Sequence, residues 1–248
     1  MGKKINFPVE SVWVFGSTSD IAKCLCIELA KKGCKRFHLI ARNISLNNSF
    51  KNFLSKKYNV IVTTQFIDLS EEKPSEEFKA IKIDDFDLYF IAAGTMGSNE
   101  LARNDFIEAQ NILNINFFSL IKWITKIVTK ERIKRNSRLW IMSSVAGDIG
   151  RPSNYHYGSA KAGLTKFCEG IMHSCQGKPF KVRIIKAGYI ATKMTINKVP
   201  KVLCTAPEKL AKKLLLKTNK RGIEYFPKWW FLVMFFIKLM PSRVIKKL

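Results

Sequence analysis

The chain has 248 residues, 47% hydrophobic and 25% charged, enough for one sizeable α/β core and short for two. Its 43 Lys and Arg against 19 Asp and Glu give a formal net charge of +24. These basic residues are scattered through Lys31-Lys32, Lys56-Lys57, the Lys130 to Arg138 stretch, Lys212-Lys213 and the C-terminal tail, with no zinc-finger spacing or helix-turn-helix. Nucleic acid is therefore not the expected partner, and an anionic membrane surface or a phosphorylated substrate uses the same electrostatics. Cys24, Cys26, Cys34, Cys168, Cys175 and Cys204 form no C-x-x-C pair, and the Met1-Gly2-Lys3-Lys4 start has no apolar run, so a reducing cytoplasm and inert packed thiols are expected. No metal site is expected.

In chain order, short apolar runs predict strands at Ser11–Phe15, Arg36–Ala41, Val60–Ile67, Phe86–Ala92, Arg138–Ser143 and Lys181–Lys186. Helical periodicity predicts helices between them at Ile21–Lys32, Leu46–Lys57, Asp105–Lys130 and Tyr157–Gln176. The acidic, Pro-containing connection Leu69–Asp85 has room for a short helix. A further helix is expected from Ala206-Pro207 through Lys217, then a final edge strand at Ile223–Pro227. This alternation predicts a Rossmann-type, doubly wound parallel sheet in three layers, as a single domain over residues 1–248.

Within that frame, Val14-Phe15-Gly16-Ser17-Thr18-Ser19-Asp20-Ile21-Ala22 reads as a strand entering a small-residue turn and then a helix. Such a turn offers backbone N–H groups and a helix N-terminus to a dinucleotide pyrophosphate. A plain turn capped by Ser19 or Asp20 is the other reading, since one glycine is present. Further on, Tyr157 and Lys161 stand four residues apart and share a helix face. A cation beside a phenol lowers its pKa from ~10 toward the working range of a general acid.

Taken together, these residues resemble the short-chain dehydrogenase/reductase family over roughly Val12 to Thr195. Against the family turn T-G-x-x-x-G-x-G, Gly16 matches the first glycine, and Asp20 and Ala22 stand at the second and third. An Asp beside pyrophosphate implies a carboxylate turned away to cap the helix. The resemblance continues through Asp68 at the adenine contact, Ala92-Ala93-Gly94 at the N-A-G turn and Asn116 at the helix Asn of the catalytic tetrad. Ser144 precedes Tyr157 by 157 − 144 = 13 residues, the family's usual interval, which prefers it over Ser143. Lys186-Ala187-Gly188-Tyr189-Ile190-Ala191-Thr192 is similar to the P-G-x-x-x-T segment, with Thr192 toward the nicotinamide.

What the resemblance implies is a catalytic set of Tyr157, Lys161, Ser144 and Asn116. In it Ser144 holds the carbonyl oxygen, Tyr157 protonates it, Lys161 tunes Tyr157 and reaches a ribose hydroxyl, and Asn116 fixes a proton-relaying water. The implied cofactor contacts are Gly16, Ser17, Thr18, Ser19, Asp20, Ile21, Arg42, Asp68, Leu69, Ala92, Ala93, Gly94, Tyr157, Lys161, Gly188, Ile190 and Thr192. The second strand ends His38-Leu39-Ile40-Ala41-Arg42-Asn43, with no acidic residue for the adenosine ribose; the planar fork of Arg42 suits a 2′-phosphate, so NADPH is preferred over NADH.

The tail, residues 227–248, holds the continuous apolar run Trp229 to Ile237 between Lys228 and Lys238, leading to Arg243, Lys246 and Lys247. Nine residues span ~14 Å as a helix, about half a bilayer core, so a membrane-surface anchor or a buried helix in a homo-oligomer interface is expected instead of a span. This ending, the glycine-poor turn and the Gly188-Tyr189-Ile190 segment resemble short-chain reductases of polyprenyl-linked keto sugars, the type found in decaprenylphosphoryl arabinose synthesis. The expectation is an NAD(P)H-dependent carbonyl reductase acting on a lipid-, nucleotide- or phosphate-linked keto sugar for a surface glycan, at the cytoplasmic face of a membrane. Rival readings are a ketoacyl or steroid-type lipid reductase, and a non-catalytic binding protein in which Asp20, Ala22, Ala92 and Ala187 have eroded the cofactor site. Substrate selection is assigned to the loops Ala191–Ala206 and Met96–Asn104.

Overall fold

A computed structural model describes residues 8–71, 78, 83–129, 136–193, 195 and 203–246. Seven parallel strands form one sheet in the order β3-β2-β1-β4-β5-β6-β7. They are β1 Ser11–Phe15, β2 Arg36–Ala41, β3 Ile61–Phe66, β4 Leu88–Ile91, β5 Arg138–Ser144, β6 Lys181–Ala187 and β7 Gly222–Phe226. Helices α1 Asp20–Lys31, α2 Ile44–Tyr58 and α7 Pro207–Leu215 cover one face. The other face carries α5 Ser119–Val128 and α6 Tyr155–Ser174, with the short helices α3 Asn99–Asn104 and α4 Phe106–Leu113 at its edge. The expected three-layer α/β architecture is the one found.

Alternation along the strands divides the core. In β1, Val12 and Val14 face the layer of α1 and α7, where Leu25, Leu210 and Leu214 are buried; Trp13 and Phe15 face Trp123 and Leu164 on the opposite side. Burial on both faces is why these strands read as unbroken apolar runs. Edge strand β3 departs from this, with Ile61 and Phe66 exposed. A buried arginine ties the far edge together. Arg183 pairs with Glu224 of β7 and donates to the Leu214 carbonyl at 2.9 Å, which closes orphan acceptors at the end of α7.

Several sequence expectations are corrected. The helix expected over Asp105–Lys130 is broken into α4, a π-helical turn Asn114–Phe118 and α5; a π turn accommodates an extra residue, and this one carries the buried Asn116, whose amide reaches the Thr95 carbonyl. A further helix, α3, is capped by Ser98, whose Oγ accepts from the Leu101 N–H at 3.2 Å. Strand limits shift by one or two residues, as at Ile61–Phe66 and Leu88–Ile91. Most of the 69–85 connection and of the 194–202 loop lies outside the described residues.

The tail forms α8 Trp230–Leu239 and α9 Ser242–Ile245. No helix among the described residues is long and apolar enough to cross a membrane. One face of α8 docks: Trp230 and Met234 are buried with Val145, against Ile149, Tyr189 and Tyr225. Gly188 makes this docking possible, since a Cβ there would lie 1.9 Å from the Trp230 indole nitrogen. The other face stays open, with Phe231, Leu232, Phe235, Phe236 and Leu239 all more than half exposed. Gly188→Ala is therefore expected to push Trp230 out of its pocket, measured as a red-shifted tryptophan emission and faster proteolysis of the tail. Unchanged emission and protection would contradict this packing.

Candidate active site

The strand order reverses between β1 and β4, so the connections leaving their C-terminal ends part and open a crevice. Gly16 forms its floor with φ of +84°, and a Cβ there would lie 2.5 Å from the Ala93 nitrogen, so backbone meets backbone. Its N–H donates to the Ile40 carbonyl at 2.9 Å. Ser19 is the N-cap of α1, its Oγ accepting from the Ala22 N–H at 3.1 Å. Asp20 does not cap the helix; its carboxylate accepts the Lys193 N–H at 2.9 Å, tying the turn to the loop after β6. Ser17 is also corrected, being fully buried with its hydroxyl bonded to the Ile40 carbonyl and to Asn47, so its side chain does not face the crevice.

The crevice holds about 400 Å³ and is lined by Gly16, Thr18, Ser19, Asp20, Ile21, Arg42, Asp68, Leu69, Ala92, Ala93, Gly94 and Thr192. Arg42 and Asp68 face each other at one end, 3.8 Å apart, with the Arg42 side chain 68% exposed. Asp68 is oriented by the Ser70 N–H and hydroxyl at 2.9 and 2.7 Å. Ile21, Ala92, Ala93, Gly94, Met142 and Thr192 also border a second cavity, of about 140 Å³, which contains Ser144, Tyr157, Lys161, Gly188 and Ile190. The predicted site residues are thus brought into one continuous cleft, apart from the Ser17 side chain and Asn116.

Tyr157 and Lys161 lie in the first turns of α6, with the Lys161 Nζ 5.7 Å from the Tyr157 ring centroid. The expected depression of the Tyr157 pKa is overturned. Burial pushes it up to about 12 and outweighs a hydrogen bond with Ser144 that acts downward. Burial likewise pulls the Lys161 ammonium down to about 8, with the Met142 carbonyl as its acceptor at 3.3 Å. Ser143 and Ser144 both border the cavity, but their hydroxyls are engaged differently: that of the buried Ser143 bonds Thr165 at 2.6 Å, whereas the partly exposed Ser144 accepts the Ala146 N–H.

Asn116 is fully buried and lines neither cavity. Its amide donates to the carbonyls of Thr95 at 2.7 Å and Ile112 at 2.8 Å, and its Oδ1 accepts the Thr95 N–H at 3.1 Å. The side chain clamps the turn after β4.

Further residues line the cleft beside those predicted to bind or react. Lys193 borders the first cavity beside Thr192. Arg151, Asn154 and Tyr189 border the second. Among the described residues, neither the buried Arg151 Nε nor the buried Asn154 Oδ1 has a hydrogen-bond partner. Their position between Ser144 and Tyr157 was the available signal. Behind the cavity, the 1% exposed Asp148 carboxylate takes Lys186 at 2.5 Å, the Tyr225 hydroxyl at 2.6 Å and, from the tail, Lys238 at 3.7 Å.

Comparison with known proteins agrees with this geometry. Residues 10–202 match the family model for short chain dehydrogenase. An uncharacterized oxidoreductase of Mycobacterium tuberculosis (strain ATCC 25618 / H37Rv) is 29% identical over 160 residues, 64% of each chain, so the match spans a little under two thirds of that relative's length. The 3-oxoacyl-(acyl-carrier-protein) reductase FabG of Escherichia coli is 24% identical over 77% of this chain and 78% of its own. Among solved structures, a short-chain dehydrogenase from Sphingobium yanoikuyae in complex with NADPH superposes with a TM-score of 0.76 at 16% identity, covering 94% of this chain and 95% of that one. With the family model spanning most of its length and the cleft built as described, the chain belongs to the short chain dehydrogenase family.

Proposed function

We propose that this protein is an NADPH-dependent carbonyl reductase whose substrate is a keto sugar carried on a lipid, nucleotide or phosphate, and that it works at the cytoplasmic face of a membrane. The observation that carries the reading is a partly buried phenol, hydrogen-bonded with Ser144 in a cavity that shares its lining with the crevice, with a lysine one helical turn along. The residues fit a dinucleotide: the Gly16 turn, the capped start of α1 and the Gly94 turn bring small residues and a helix N-terminus to the crevice. When bound, the cofactor supplies hydride. Arg42, exposed and held only loosely by Asp68, suits a 2′-phosphate, and the NADPH-bound neighbour supports the same preference.

The remaining chemistry belongs to this chain. Ser144 and Tyr157 offer hydroxyls to the oxygen that becomes negative, and the raised pKa keeps Tyr157 protonated until that oxygen needs its proton. Once Tyr157 has donated, its phenolate is left partly buried, where the neighbouring Lys161 cation offsets the new charge. Asn116 keeps the Gly94-Thr95 turn in place from behind.

The unpartnered Arg151 Nε and Asn154 Oδ1 favour a hydroxylated substrate. A hydrocarbon chain would leave both unsatisfied at ~1–3 kcal/mol each, whereas sugar hydroxyls answer a donor and an acceptor together. The open apolar face of α8, flanked by Lys228, Lys238, Arg243 and Lys246, supports contact with an anionic membrane surface and hence a lipid-borne substrate. A second reading, reduction of a 3-oxoacyl chain, is favoured by the Escherichia coli relative.

Tyr157→Phe is expected to keep saturable NADPH binding, followed by nicotinamide fluorescence, and to lower turnover by ~10²–10⁴. Full activity in this variant, or a folded wild-type protein that binds neither NADPH nor NADH, would reject the assignment. Arg151→Met should raise KM for phosphorylated keto sugars while leaving 3-oxoacyl thioesters unaffected; the reverse pattern supports the acyl reading.

Lys161 carries a separate, pH-dependent signature. Its folded pKa of about 8 lies below its unfolded value of 10.5, so the unfolded chain binds more protons between these limits and stability rises with pH across that window. In cofactor-free protein, Lys161→Met should therefore add about 3 kcal/mol at pH 7. The advantage over wild type should shrink from pH 8 to 10, measured by urea unfolding. Parallel pH profiles would show that the ammonium is not dehydrated.

A further inference from the structure

We infer that the groove between α7 and the junction of β7 with α8 binds the phosphomonoester headgroup of a lipid. The groove holds about 540 Å³ and shares no lining residue with the two cavities of the catalytic cleft. The inference deepens the reading of the tail as a membrane-contacting element and rests on it for the source of the ligand.

The sequence of α7 builds one wall. Leu210, Ala211, Leu214 and Leu215 bury one side of this helix, and the spacing of Lys209, Lys212 and Lys213 puts all three on the side turned to the groove. Lys228 closes the opposite rim. None of these four lysines forms an ion pair among the described residues, and Glu224, the carboxylate in the groove, is already engaged by Arg183 and Lys220. Four lysines on one groove, against the single and already engaged Glu224, leave an excess of positive charge there that a dianion balances. A phosphomonoester brings nearly two negative charges and several acceptor oxygens, which matches lysine as a donor of point charges.

The other wall fixes the class of molecule as amphiphilic. Trp229 borders the groove and stacks on Trp230 at 4.8 Å and 23°, and Trp230 is buried, so the outer indole is held at the groove's edge. Immediately beyond it runs the exposed apolar face with Phe231, Leu232 and Phe235. A headgroup among the lysines therefore has a continuous greasy path for its chains, with a tryptophan at the boundary where indoles favour the headgroup level. Free phosphate would use the lysines and leave that path empty.

The test uses full-length protein. Dihexanoyl phosphatidic acid below its micellar concentration is titrated against tryptophan emission, alongside inorganic phosphate. Flotation then compares vesicles of phosphatidylcholine containing phosphatidic acid or phosphatidylglycerol, adjusted to equal surface potential. Wild type should bind the short-chain lipid saturably and more tightly than inorganic phosphate, and should favour phosphatidic acid vesicles. Lys212→Ala/Lys213→Ala should weaken the short-chain lipid by about tenfold, with unchanged circular dichroism and nicotinamide binding. Phe231→Ser/Phe235→Ser should abolish flotation while keeping the short-chain lipid. The headgroup site is overturned if the lysine variant binds the short-chain lipid like wild type, if inorganic phosphate binds as tightly, or if the two vesicle types are bound equally. If wild type ignores every vesicle yet loses short-chain lipid affinity with the lysines, the groove stands and the membrane reading falls.

Discussion

Burial of Lys161 under a partly buried Tyr157 is the constraint around which the cleft is arranged. Both pKa values are set first by burial, and they move in opposite directions, the phenol upward and the ammonium downward. A proton is thereby held on the tyrosine in the resting protein, and a cation of reduced basicity waits under it. The surroundings enforce this: Ala102, Ala109 and Ile112 pack against the Tyr157 ring, and Ser143 is turned away to bond Thr165 beneath Lys161. Closing the site against solvent strengthens every remaining interaction within it.

A second constraint is crowding at the switch point. Gly16 and Ala93 bring two strand ends into backbone contact, and the turn after β4 is fastened by Asn116 through both polar atoms of its amide. The π-helical turn at Asn114–Phe118 carries Asn116 and so coincides with this fastening. The Asp20 contact with Lys193 closes the opposite margin. The crevice is therefore bounded by four chain segments far apart in sequence.

Much of this was legible beforehand. Strands buried on both faces announce themselves as apolar runs, so β1, β2, β5 and β6 were located to within a residue. The order of motifs from Gly16 to Thr192 anticipated which residues border the cleft. What escaped had physical causes. The apolar pattern over Asp105–Lys130 continues smoothly through Asn116, because a π turn changes hydrogen bonding without changing composition. The direction of the Tyr157 shift depends on dehydration, a property of packing that neighbouring charges in sequence do not reveal. Ser17 looked like any turn residue until Asn47, 30 positions away, claimed its hydroxyl. Arg151 and Asn154 belong to no pattern and became visible through their missing partners.

The Asp148 carboxylate, almost wholly enclosed, gathers cations and a hydroxyl from β6, β7 and the tail, four positions beyond Ser144. The tail is thus wired into the segment that carries the serine, by charge through Lys238 and by fit through Trp230 over Gly188. Truncating the chain before Lys228 would strip a counterion from an enclosed anion and open a hole beside Val145. A shortened protein would therefore lose catalytic competence even toward a freely diffusing ketone, so its defect would report on the architecture of the cleft as much as on any anchor.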